Sequence, residues 1–101
     1  MQVVRGVLDD LRVTTTLEVH GTITGQLTVA SGGRLVFRGV CERDVLVERG
    51  GDAELWGLIQ GDVFNQGGTV KLFGMVEGQV RTPDGETKIS HDSRVGGRRV
   101  L

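Results

Sequence analysis

Apolar and polar residues alternate along nearly the whole chain, in short bursts broken by glycine. In LEVHGTITGQLTV, residues 17–29, the apolar Leu17, Val19, Ile23, Leu27 and Val29 all occupy odd positions. Alternation with period two predicts strands of about three to five residues with one face buried. No stretch carries apolar residues at helical spacing without a glycine interrupting it, so helices are not expected.

The bursts repeat. Aligning the glycines gives four rows: LEVHGTITGQLTVASGGR (17–34), LVFRGVCERDVLVERGGD (35–52), AELWGLIQGDVFNQGGT (53–69) and VKLFGMVEGQVRTPDGE (70–86). The period is therefore 17–18 residues, with degenerate copies before and after, about five in all. Short fixed self-similarity in an alternating sequence marks a β-coil in which each repeat stacks on the last. Five places per row are expected to point inward. They are the first (Leu17, Leu35, Ala53, Val70), third (Val19, Phe37, Leu55, Leu72), seventh (Ile23, Cys41, Ile59, Val76), eleventh (Leu27, Val45, Val63, Val80) and thirteenth (Val29, Val47, Asn65, Thr82). Glycine recurs at the fifth place as Gly6, Gly21, Gly39, Gly57 and Gly74, at the ninth as Gly25, Gly61 and Gly78, and in the pairs Gly32-Gly33, Gly50-Gly51 and Gly67-Gly68. Each marks a corner where the backbone bends and space is tightest. Three sides and three corners describe a triangular β-solenoid, an all-β, single-stranded parallel β-helix of about five coils with 17–18 residues per coil. At about 4.8 Å per coil the rod would be on the order of 24 Å long. A β-sandwich is the structural alternative, but it has no need of such strict columns.

Composition narrows the function more than the fold. The 101 residues form one domain with a single modest core, residues 1–101, leaving no room for a separate catalytic domain. A net charge of −1 lacks the field of a nucleic-acid or anionic-membrane binder, so neither partner is expected. No apolar run is long enough to cross a bilayer and the start MQVVRGVLDD is unlike a secretory signal, which points to a cytoplasmic protein. The single cysteine, Cys41, has no partner for an internal disulfide.

The patterns in LEVHGTITGQLTV and LFGMVEGQV resemble those of bactofilins, over about residues 3–95. The resemblance implies a right-handed triangular β-helical core and, in function, a bacterial structural protein that polymerises without nucleotide. We expect here neither the proline-rich flanks nor the amphiphilic leader typical of such cores.

The even places should face solvent, and most are polar. The exception is a set of apolar residues flanking the fifth-place glycines: Val36 and Val40, Trp56 and Leu58, Phe73 and Met75. Stacked at coil spacing they would form a stripe, with Arg38, Glu42, Glu54, Gln60, Lys71 and Glu77 as a polar rim. Leu46 and Phe64 make a smaller outward pair. One reading covers the stripe with the terminal RRVL. The other makes Val36, Arg38, Val40, Trp56, Leu58, Phe73 and Met75 a protein-binding face, since aromatics and methionine within a polar rim resemble an interface core. An immunity protein that neutralises a bacterial toxin would be one such binder. At the ends, Val3, Val4, Val7, Leu8 and Leu11 form an apolar N-terminal coil open to self-association, for instance as a head-to-head homodimer. The C-terminal coil, with Lys88, His91, Asp92, Arg94, Arg98 and Arg99, reads as blunted by charge.

Enzymatic chemistry has little to stand on. His20 and His91 are expected at surface or capping positions, since no serine or cysteine nucleophile with a paired carboxylate is placed beside either. Cys41 falls in an inward column, where a small buried hydrophobe is the simpler reading. Two distant histidines and one buried thiol do not make a metal site, and no cofactor is expected. The GGD at 50–52 occurs once, unlike calcium-binding nonapeptide repeats, and no strand-to-helix transition follows any glycine-rich turn. The rows leave no room for the looped insertion of hexapeptide acyltransferases. The threonines at 14–16, 22 and 24 do not continue as the flat array that binding to ice would need.

Overall fold

The computed structural model describes residues 2–90, 93–96, 98 and 99, the last two as backbone only. It is an all-β solenoid of about five turns, with no helix among the described residues, hence none long and apolar enough to cross a membrane. Each turn visits three faces. The first is built from Gln2–Val4, Thr16–Val19, Arg34–Phe37, Asp52–Leu55 and the second halves of the two long strands Val63–Leu72 and Val80–Ile89. The second stacks Val7–Leu8, Thr22–Ile23, Val40–Cys41, Leu58–Ile59, Met75–Val76 and Arg94–Val95. The third stacks Leu11–Val13, Leu27–Val29, Val45–Val47 and the first halves of the same long strands. All these pairs are parallel, which rules out a sandwich of antiparallel hairpins.

The register is the one the rows imply. Leu17 pairs with Leu35, Leu35 with Ala53, and Ala53 with Val70, so identical places stack at offsets of 18, 18 and 17 residues. Inward parity then fills the prism. From Val13 to Val76 the first, third, seventh, eleventh and thirteenth places are buried, with Phe37 the largest of these side chains. Cys41 lies among them, its Sγ 3.4 Å from the Arg43 carbonyl oxygen, and burial pushes the thiol pKa up.

The corner glycines are explained by how closely the coils approach. A Cβ on Gly21, Gly39, Gly57 or Gly74 would overlap the carbonyl oxygen of the corner glycine one coil earlier. That oxygen accepts the amide of the next coil's sixth place: Val40 N–H to Gly21, Leu58 to Gly39 and Met75 to Gly57, at 3.0–3.1 Å. A side chain here would cost both space and a rung of the ladder. At the third corner Gly32, Gly50, Gly67 and Gly85 adopt positive φ, from 81° to 132°, which L side chains avoid.

Three expectations need correction. Thr82 occupies an inward place but is exposed, and Val80 is only half-buried, because little of the described chain stacks beyond this coil. The N-terminal set divides by parity: Val4, Leu8 and Leu11 pack half-buried against the core, whereas Val3 and Val7 point outward, at 48% and 72% exposure. At the C-terminal end charge is not the sole device that closes the edge. Arg98–Arg99 turns back antiparallel onto Arg94–Val95 and covers the edge of the second face. His91 and Asp92 lie outside the described residues.

Candidate functional site

Trp56 stands at the fourth place of its row, just before the first corner, and outside the interior layer that holds Ile59. It is 43% exposed. The same place one coil on is Phe73, and the two rings stack at 4.2 Å between centroids with an interplanar angle of 13°. One coil back is Arg38, whose guanidinium carbon lies 5.3 Å from the indole centroid. Coil spacing of about 4.8 Å is close to ring-stacking distance, so consecutive flat groups at one corner place meet face to face. The indole N–H donates to Glu54 Oε1 at 2.6 Å. Below Arg38 the fourth place is His20, whose Nε2 lies 2.6 Å from Glu18 Oε2; Glu18, at the second place, also lies 3.7 Å from Arg38 Nε. The hydrogen bond with His20, aided by the charges of His20 and Arg38, holds the Glu18 pKa below its ordinary value.

Around the corner, the sixth place forms an outward column on the second face: Val7, Thr22, Val40, Leu58 and Met75, ending at Arg94. Leu58 and Met75, with Trp56 and Phe73, line an open groove of about 380 Å³ with Glu77 and Arg94 at its rim. The structure therefore brings together Arg38, Val40, Trp56, Leu58, Phe73 and Met75 along one corner and the face that follows it. Val36 does not join them. It is three residues before its glycine rather than one, pairs with Glu18 and Glu54, and lines a separate groove on the first face with Thr16, Arg34, Asp52 and Lys71. Lys71 is likewise on that face and not part of the rim. Val7, in the outermost strand of that face, stands by register in the same sixth-place column. Arg94 joins the column only through its pairing with Met75, because it falls in the degenerate last copy, where the rows give no register.

RRVL does not cover the stripe in the described part: Arg98–Arg99 lies beside Arg94–Val95 at the far edge of the second face, and Trp56 keeps its exposure. The smaller outward pair is also partly engaged, with the Arg81 guanidinium carbon 5.7 Å from the Phe64 ring centroid.

The corner between the second and third faces is acidic. Asp9, Asp10, Glu42, Asp44, Asp62 and Glu77 all lie along it, with Arg43 its one cation among the described residues. Three of these carboxylates stitch neighbouring coils: Asp10 accepts from the Gln26 amide at 2.8 Å, Asp44 from Asp62 at 2.8 Å and Asp62 from Gln79 at 2.7 Å. Among the described residues no group of three or more histidine, cysteine or carboxylate side chains is arranged to hold a metal ion. His20 is at the surface, paired with Glu18.

No protein-family model, characterised protein or solved structure matches the chain.

Proposed function

We propose that this protein is a non-enzymatic, cytoplasmic binding module that docks a partner protein on its second face and the adjoining corner. The observation that carries the reading is the column Val40, Leu58 and Met75 beside the stacked Trp56 and Phe73, apolar on the side away from the core and uncovered by any described segment. Surface of this kind on a small β-scaffold is suited to association, where buried aromatic and aliphatic anchors contribute most of the affinity. A compact binder of this shape could occlude a partner in the manner of an immunity protein on its toxin. The test is capture of a partner from an extract of the source cell by the wild-type chain and by Leu58→Asp, with circular dichroism to establish that both are folded. The expected result is loss of the captured protein with Leu58→Asp. Equal capture by both chains would sink the docking face.

A second reading, bactofilin-like self-assembly, is favoured by the N-terminal end. There Gln2–Val4, Val7–Leu8 and Leu11–Val13 are outermost strands of their sheets, and Val4, Leu8 and Leu11 close the core only half-buried. Light scattering at rising concentration separates the two readings: particle mass that grows with concentration and collapses in Leu8→Lys supports assembly, and a constant small mass supports the binder.

A further inference from the structure

Resting on that docking reading, we infer that the partner segment is a basic amphipathic helix lying along the solenoid axis, its apolar seam on Leu58 and Met75 and its cations over the acidic corner.

Charge is segregated on this molecule. Away from the acidic corner, Glu18, Glu48, Asp52, Asp84 and Glu86 each sit within 4.0 Å of a cationic side chain, and Glu54 takes the indole N–H. The carboxylates of the corner have no ion pair among the described residues, and Arg43 forms none with them. Asp10, Asp44 and Asp62 are tied to backbone amides, and Asp9 accepts from the Thr24 hydroxyl at 3.0 Å. Glu42 and Glu77 have neither role. Both stand at the eighth place, two residues beyond Val40 and Met75 on the same parity, so they fringe the apolar column along one side while the aromatic stack fringes it on the other. A segment laid on this face therefore meets a hydrophobic floor flanked on one side by carboxylates that outnumber the single Arg43 among them, with Arg94 only at the end of the column, which complements a cationic partner and repels an anionic one.

The spacing favours a helix over an extended chain. Adjacent rungs of the column are about 4.8 Å apart, near the 5.4 Å pitch of an α-helix, whereas same-face residues of an extended strand recur at about 6.6 Å. Over the two steps from Val40 to Met75 the helical mismatch accumulates to only about 1.2 Å. Glu42 and Glu77, also two steps apart, then lie at about the separation of residues i and i+7 of the docked helix.

The protein carries its own reporter, since Trp56 is the single tryptophan and lines the groove. A helical peptide of about 20 residues, with leucines on one stripe and lysines along one flank, is titrated into the full chain while the indole emission is followed. A second peptide carries glutamate at each lysine position. The expected result is saturable binding of the lysine peptide with a blue shift, no binding of the glutamate peptide, and weakening by about tenfold in the double variant Glu42→Lys, Glu77→Lys. Circular dichroism establishes that the double variant is folded; both side chains are exposed. Should both peptides bind alike, or the lysine peptide fail to bind, or the double variant keep full affinity, the inference is overturned. If in addition a cellular partner is captured by the double variant as by wild type but lost by Leu58→Asp, only the cationic helix is wrong and the docking face stands.

Discussion

Between Leu17 and Val76 the coils stack at offsets of 17 or 18 residues and every inward place is buried, whereas from Val80 onward the same path loses its order of packing. In that last coil the pairing with Val63–Leu72 slips at Phe64/Gln66 and again at Gln66/Thr69. Thr82 and Thr87 occupy core places, their hydroxyls 2.7 Å apart, and Ile89 is 40% exposed. A coil in a solenoid has no core of its own; it is packed only to the extent that both neighbours present matching side chains. Among the described residues the central coils have two such neighbours and the last has one. Its strand Arg94–Val95 is finished by an antiparallel strand, which satisfies hydrogen bonds without adding a layer of core.

Substitution can sharpen this contrast. The largest effect is expected from Gly57→Val, which sets a branched side chain against the Gly39 carbonyl that accepts the Leu58 amide. A loss of at least about 4 kcal/mol is expected, enough to abolish a cooperative thermal transition followed by circular dichroism. Gly96→Ala, in the terminal turn, meets the Gly78 oxygen at an ordinary 3.6 Å and strains only its own φ of 63°, for about 1 kcal/mol. Equal loss at both sites would remove the distinction between centre and end.

Side-chain truncation should follow the same gradient with smaller steps. Phe37→Ala opens a cavity in the fully buried layer and is expected to cost about 3–5 kcal/mol by urea denaturation. Ile89→Ala removes a side chain already partly in water, for about 1 kcal/mol.

Asn65 sits where the ordered part gives way, and its substitution should fall between the two truncations. It replaces the column valines Val29 and Val47, yet is fully buried and completely paired. Its amide donates to the carbonyls of Gly68 and Glu86 at 3.1 and 2.9 Å and to Thr87 Oγ1 at 3.2 Å, and its oxygen accepts from the Gly67 and Gly68 amides. Asn65→Val restores the apolar column but strands the Gly68 amide, so a loss of about 1–3 kcal/mol is expected. A more stable variant in the same urea titration would show that the valine column outweighs the corner bonds.

Much of the fold was legible because parity and corner glycines are local properties. Leu35 and Phe37 point inward for the same reason that Val36 points outward, and the rows aligned without reference to any contact. The candidate site was legible in part. Trp56, Phe73 and Arg38 share the fourth place, and counting places from the glycine finds all three. Grouping by apolar character instead drew in Val36, which belongs to another face. Asp44 and Asp62 stand at even places, which alternation turns to solvent, and a pattern of polar and apolar residues does not distinguish a side chain in water from one folded back on a neighbouring amide.

The chain by itself determined where the backbone turns and which side chains go in, since both follow from steric limits at glycine and from a period of two. Tertiary structure alone decided which outward residues became neighbours and which surfaces were already used. Those neighbours come from residues 15 to 19 positions apart, and the offset in each coil depends on the packing of that coil. The indole of Trp56 illustrates both halves: alternation put it outside, and only the stacking of coils set a guanidinium on one of its faces and a phenyl ring on the other.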